Sequence, residues 1–133
     1  MRTVVVISVL IGVAMVPAAI LAAPMDGSAP MLCALSSVTE CSRQGDCERV
    51  LPEVAEVPTF VRVNVPQKVL STIDGSRTSP ITTVERANGR LMLQGMQNNR
   101  VWGLVINEES GRFSATMGED DGALLLSGAC IAP

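Results

Sequence analysis

Histidine and tyrosine are absent from this chain of 133 residues, lysine occurs once, at Lys68, and the only aromatic side chains are one tryptophan and two phenylalanines. Without histidine, the usual general base near neutral pH and the commonest metal ligand are both missing. The basic groups are nearly all arginines, and they are scattered: Arg43, Arg49, Arg62, Arg77, Arg86, Arg90, Arg100 and Arg112 never form a run. Nucleic acid is bound largely through Lys and Arg clustered at phosphates, so it is not an expected partner. No Gly-rich phosphate loop is present either, because "GRLMLQG" reads as strand punctuation, with Gly95 at a bulge or close-packing site. After the first 22 residues no segment carries a helical signal comparable to its strand signals.

The chain does have a beginning with three recognisable parts. A positive Met1-Arg2 start leads into an uncharged apolar run from Thr3 to Ala22, which exits through the small residues of "AAILAAP". That order predicts a secretory signal peptide over 1–22, cleaved after Ala22. The alternative is a retained anchor, since the apolar run approaches the roughly 20 residues that span a bilayer. Pro17 and the small residues after it favour the exit and no stable membrane insertion afterwards. With Arg2 removed, nine basic groups face thirteen acidic ones, a balance of −4 that suits an exported protein, periplasmic or secreted. The remaining 111 residues are enough for one domain.

From Pro58 onward one plan repeats, a short apolar or alternating run followed by a turn signal. Asp74-Gly75, Asn88-Gly89, Asn98-Asn99, Ser110-Gly111 and Asp121-Gly122 are spaced 14, 10, 12 and 11 residues apart, as in a meander of short antiparallel strands. In "VWGLVIN" the residues Trp102, Leu104 and Ile106 share a face, and in "GRFSATM" Phe113, Ala115 and Met117 do the same. "FVRVNV", "ITTVER", "RLMLQGM" and "GALLLSGAC" complete the set, with Pro66 and Pro80 at strand boundaries. The fold class is therefore all-β: a small antiparallel meander of about 7–9 strands, closed into a barrel or a strongly curled sheet so that exposed edges are removed. Residues 58–133 hold the meander, and the cysteine-containing segment 23–57, with a hairpin of its own, joins it in one domain.

Cys33, Cys41, Cys47 and Cys130 are an even number in an exported chain, the setting in which thiols become disulfides. Zinc and redox sites favour Cys-x-x-Cys, whereas here the first three cysteines are separated by seven and five residues. Four cysteines allow three connectivities, and spacing does not strictly choose among them. "CSRQGDC" is short enough to be a hairpin, which favours Cys41 with Cys47 and leaves Cys33 with Cys130. No metal and no cofactor is expected.

The order of "EC" at Glu40-Cys41 with Cys47 after it, "PTF" at Pro58 to Phe60, "NGRLMLQG" at Asn88 to Gly95, "RVWGLVI" at Arg100 to Ile106, "SGRFSATM" and "SGAC" resembles a group of small exported proteobacterial proteins of unknown function. The resemblance implies a Gram-negative periplasmic or secreted setting and carries over no catalytic residue. "SGRF" before a strand is also similar to the Ser-Gly loop of periplasmic inhibitors of c-type lysozyme, although the Trp-x-Lys-Gly stretch of those inhibitors is missing.

The expected role is non-enzymatic binding in the cell envelope, of an envelope protein or a small apolar ligand. Partner-facing candidates are the loops Glu108, Glu109, Ser110, Gly111 and Glu119, Asp120, Asp121. A lipocalin-like carrier is the first alternative, because eight strands enclose just enough room for side chains or for one small ligand. A hydrolase would need Glu108 or Glu109 to face Asp120 across a cleft, with the two acidic loops at one end of the sheet. The same carboxylates could gather calcium, but no Asp-x-Asp-x-Asp-Gly pattern accompanies them.

Overall fold

Each turn signal after Pro58 becomes a connection between strands. The computed structural model describes residues 23–133, so the leader read over 1–22 lies outside the described residues. Nine strands follow one another: β1 (Met31–Ser42), β2 (Cys47–Val50), β3 (Phe60–Asn64), β4 (Val69–Thr72), β5 (Thr78–Ala87), β6 (Arg90–Gln97), β7 (Arg100–Asn107), β8 (Arg112–Gly118) and β9 (Gly122–Ile131). No helix forms among the described residues. At Asn88-Gly89 and Asn98-Asn99 both central residues have positive φ (52° and 70°, 50° and 62°). That geometry matches the right-handed twist of the flanking strands, and Asn and Gly tolerate it best.

All pairings are antiparallel, and the spatial order is β2-β1-β3-β4-β5-β6-β7-β8-β9 with a further pairing of β1 to β9. Eight strands therefore close into a barrel and β2 stands outside it as a ninth. β1 makes this possible by its length. One edge pairs along β9 from Leu32↔Ile131 to Ser42↔Gly122, and the other is shared, Met31 to Ala34 with β3 and Val38 to Cys41 with β2. Among the described residues β2 is the one strand with a single neighbour.

Alternation then decides what fills the interior. Val63, Leu91, Leu93, Trp102, Leu104, Ile106 and Phe113 point inward and are buried, as the period-two pattern requires. The apolar interior is the reverse of the polar interior of membrane barrels, while the outer face mixes polar residues with exposed apolar ones such as Met96, Val101, Val105 and Leu125. Two bulges interrupt the pattern, at Ser36 in β1 and at Thr82 in β5. Each extra residue bonds by its hydroxyl to a carbonyl of the neighbouring strand, Ser36 Oγ to Ser127 O (3.1 Å) and Thr82 Oγ1 to Gln94 O (3.2 Å). A bulge adds local twist, which helps so small a sheet to curl shut. It also explains why "ITTVER" does not alternate: Ile81 and Val84 lie on one side of the sheet across the inserted residue. Pro80, expected at a strand boundary, is instead the third residue of β5, paired with Val69.

The two ends of the barrel differ. Antiparallel order gathers 65–68, 88–89, 108–111 and both ends of the described chain at one end. There Met25 packs on the core, and a Cβ at Gly27 would touch Val65 and Leu91. Arg86 fastens this plug, bonding Glu108 (2.8 Å) and approaching Asp26 (3.9 Å). Hydrogen bonds from Ser28, with Arg86 a smaller cause, lower the Asp26 pKa, and the bond to Glu108 raises that of Arg86. At the other end a strap, 51–58, lies across the wall and buries Ala55 and Val57 against Val38 and Leu124.

Two disulfides staple the sheet. Cys33–Cys130 joins directly paired residues of β1 and β9, and Cys41–Cys47 joins paired residues of β1 and β2. No cysteine is free. The first bridge closes a loop of sequence separation 97 and the second one of 6, so chain entropy assigns them about 4–5 and about 2 kcal/mol. Urea unfolding of the oxidised protein is expected to show that ordering for the Cys33→Ala/Cys130→Ala and Cys41→Ala/Cys47→Ala variants. Equal losses would remove loop length as the reason.

Candidate functional site

Closure of the barrel leaves an apolar cavity of about 160 Å³ between the core and the strapped end. All eight barrel strands contribute to its wall, among the lining residues being Val61, Leu70, Trp102, Leu104, Phe113 and Ala115. These residues come from alternate positions of β3, β4, β7 and β8, which is why they converge. The volume is well below the 300–1,000 Å³ of pockets that take drug-sized molecules and matches what one benzene ring occupies, roughly 150 Å³.

Trp102 is the largest side chain in this wall. Its indole N–H donates to the hydroxyl of Ser79 (2.8 Å), and both residues are buried. The ring also needs Gly95, its partner across the β6–β7 pair: a Cβ there would overlap the indole and the carbonyl of Pro80. Gly95 is thus a close-packing site beside the Thr82 bulge, and a glycine seat beneath an aromatic ring is a known way of packing sheets. Gly128 serves Phe113 in the same manner.

The mouth is polar. Arg77, on the β4–β5 turn, donates to the carbonyl of Glu56 in the strap (3.2 Å). Gln97 Nε2 donates to Thr78 O (2.8 Å), and Arg100 pairs with Glu119 (2.7 Å). The turn that presents Arg77 is organised by Asp74, whose carboxylate accepts from the Thr72 hydroxyl and from the Ser76 N–H and hydroxyl. These bonds, the Thr72 hydroxyl first, lower the Asp74 pKa to about 2.

The loops singled out by sequence occupy different places. Glu119, Asp120 and Asp121 lie at the mouth end and are tied down, Glu119 by Arg100 and the carbonyls of Asp120 and Asp121 by Arg43. Glu108, Glu109, Ser110 and Gly111 lie at the plugged end, because successive connections in a meander alternate ends. β8 separates the two loops by seven residues, roughly 20 Å of strand. The expectation that both acidic loops share one end is therefore corrected, and Glu108 and Glu109 do not face Asp120. No cluster of three metal-ligating side chains occurs among the described residues. Gly111, at a φ of 69°, is buried on the backbone of Cys130, whose N–H donates to the Gly111 carbonyl (2.8 Å), while Asn107 Oδ1 accepts from Ser110 N and Oγ. The Ser-Gly turn is thereby moored to the last strand.

Sequence reading passed over Arg77, Gln97, Ser79 and the strap. The one signal available was Trp102, a lone tryptophan at mid-strand on an inward face, opposite a glycine. No family model, no curated protein and no solved structure matches the chain.

Ser79→Ala strands the indole N–H in an apolar wall. It is expected to cost about 1–3 kcal/mol and to shift the emission of the single tryptophan, with unchanged stability counting against the bond. Asp74 is expected to remain ionised well below the ~4 of an ordinary aspartate. Its folded pKa is depressed, so the turn it holds is intact above pH 4 and loosens as pH falls through 2, which a carboxyl NMR titration reads directly.

Proposed function

We propose that this protein is a non-enzymatic binding protein that holds one small apolar molecule inside its barrel. The observation that carries the reading is the cavity of about 160 Å³ behind a polar mouth, walled by Trp102, Phe113 and aliphatic side chains. Stable interiors are packed nearly to crystal density, and voids larger than a water are few. A cavity of this size in so small a core forfeits contacts, which a ligand of matching shape restores. The two disulfides suit an oxidising compartment outside the cytoplasm. The periplasm or the exterior of a Gram-negative cell is the setting proposed, in keeping with the apolar leader of the sequence.

The acidic loops support binding rather than hydrolysis, since they lie at opposite ends of the barrel and the carboxylates of Glu108 and Glu119 are engaged by Arg86 and Arg100. An envelope protein docking on the outer loops is the competing partner.

Toluene is a suitable probe because it is ring-sized and uncharged. Titrated into the oxidised protein, it is expected to change Trp102 emission saturably and to raise the thermal midpoint, by an amount equivalent to about 2.7 kcal/mol at a hundredfold excess over Kd. Ala115→Leu, which fills the cavity from β8, is expected to abolish both effects while the barrel stays folded. A wild-type protein indifferent to saturating toluene would overturn the reading and leave the outer surface as the place to look.

A further inference from the structure

Three of the polar side chains around the cavity are directed to other groups of the protein. The indole N–H of Trp102 is held by Ser79, the Gln97 amide by the carbonyl of Thr78, and the guanidinium of Arg100 by the carboxylate of Glu119. Arg77 differs. Its side chain makes one hydrogen bond, to the neutral carbonyl of Glu56, and no carboxylate lies within ion-pair distance among the described residues. A guanidinium carries five N–H donors in a fixed planar fork, so most of them face solvent at the mouth.

We infer that the ligand is a compact carboxylate with a ring or branched apolar body, whose body fills the cavity and whose carboxylate pairs with Arg77 at the mouth. The inference rests on the ligand-binding reading above and names the chemical class it would take. Size sets the first limit: about 160 Å³ admits one ring and a short arm. Solvation sets the second. A carboxylate is poorly tolerated in an apolar interior without a partner, so the head must stay at the rim, where the guanidinium fork matches it two bonds to two oxygens.

The charges around the mouth are consistent with that polarity. Arg77 and Arg100 are the two cations lining the cavity, against Glu56 from the strap. Glu119 is engaged by Arg100, and Asp74, in the same turn as Arg77, is turned to its own loop through Thr72 and Ser76. A cationic head would meet the guanidinium of Arg77, with the Glu56 carboxylate as the one acid of the lining to set against it. A neutral one would leave the free donors unused.

The test compares three probes that share one benzyl body and differ in its head, phenylacetate, toluene and benzylamine, by Trp102 emission in the oxidised wild-type protein and in Arg77→Gln and Arg77→Lys. Phenylacetate is expected to bind the wild type about tenfold or more tightly than toluene, the usual scale of a charge-assisted pair, with benzylamine the weakest. Arg77→Gln should erase the advantage of phenylacetate over toluene. Arg77→Lys, which keeps the charge without the fork, should restore part of it. Arg77 is exposed and lies outside the core, and the far-ultraviolet circular dichroism and thermal midpoint of each variant without ligand show that it is folded. Toluene binding with no preference for phenylacetate, or a preference that survives Arg77→Gln, overturns the carboxylate assignment while the cavity reading stands. If none of the three probes binds, the cavity reading fails and this inference falls with it.

Discussion

The pairing of the first long strand with the last is the constraint on which the rest depends. β1 and β9 meet over ten residue pairs, and without that seam the meander is an open sheet with no interior. The cavity, its mouth and the plug at the far end are all consequences of closure. The partners lie about a chain length apart, so the seam forms at a high entropic cost, and Cys33–Cys130 sits within it. Contacts so distant in sequence make folding slow relative to helical proteins of this size. The disulfide shortens that search once formed.

Much of the architecture is legible in the residues, for physical reasons that differ by element. "VWGLVIN" and "GRFSATM" alternate because one side of each strand meets the core, and the Asn and Gly turns are visible because few other residues accept positive φ. β4 is hidden: Val69 to Thr72 are all half-buried and carry no alternation. The bulge at Thr82 scrambles the period of β5, and Pro80 disguises its start. β1 reads as half of a hairpin because Cys41 and Cys47 draw attention to its end, whereas its value lies in twelve residues that reach three neighbours.

The candidate site was less legible, because a cavity belongs to no segment. Its wall is assembled from strands far apart in sequence, and its rim from Arg77, Gln97 and a strap whose two glutamates obscure the buried Ala55 and Val57. The acidic loops drew notice through charge alone. Their separation follows from parity, since hairpin connections one strand apart must lie at opposite ends, and this much the sequence already contained. Trp102 shows the reverse case, a residue whose position was foreseen and whose role depends on a glycine across the sheet.

Among the described residues the barrel has one exposed flank, β2, and the character of that flank bears on how the protein behaves among crowded neighbours. An unpaired strand invites a neighbour's chain to add to it, the first step of fibre growth. β2 offers four residues, two of them Glu48 and Arg49 on open surface, with its start pinned to β1 by a covalent bridge. A guest strand would find few backbone partners there and would have to bury both charges. The short clasped hairpin is thus also a guard against polymerisation.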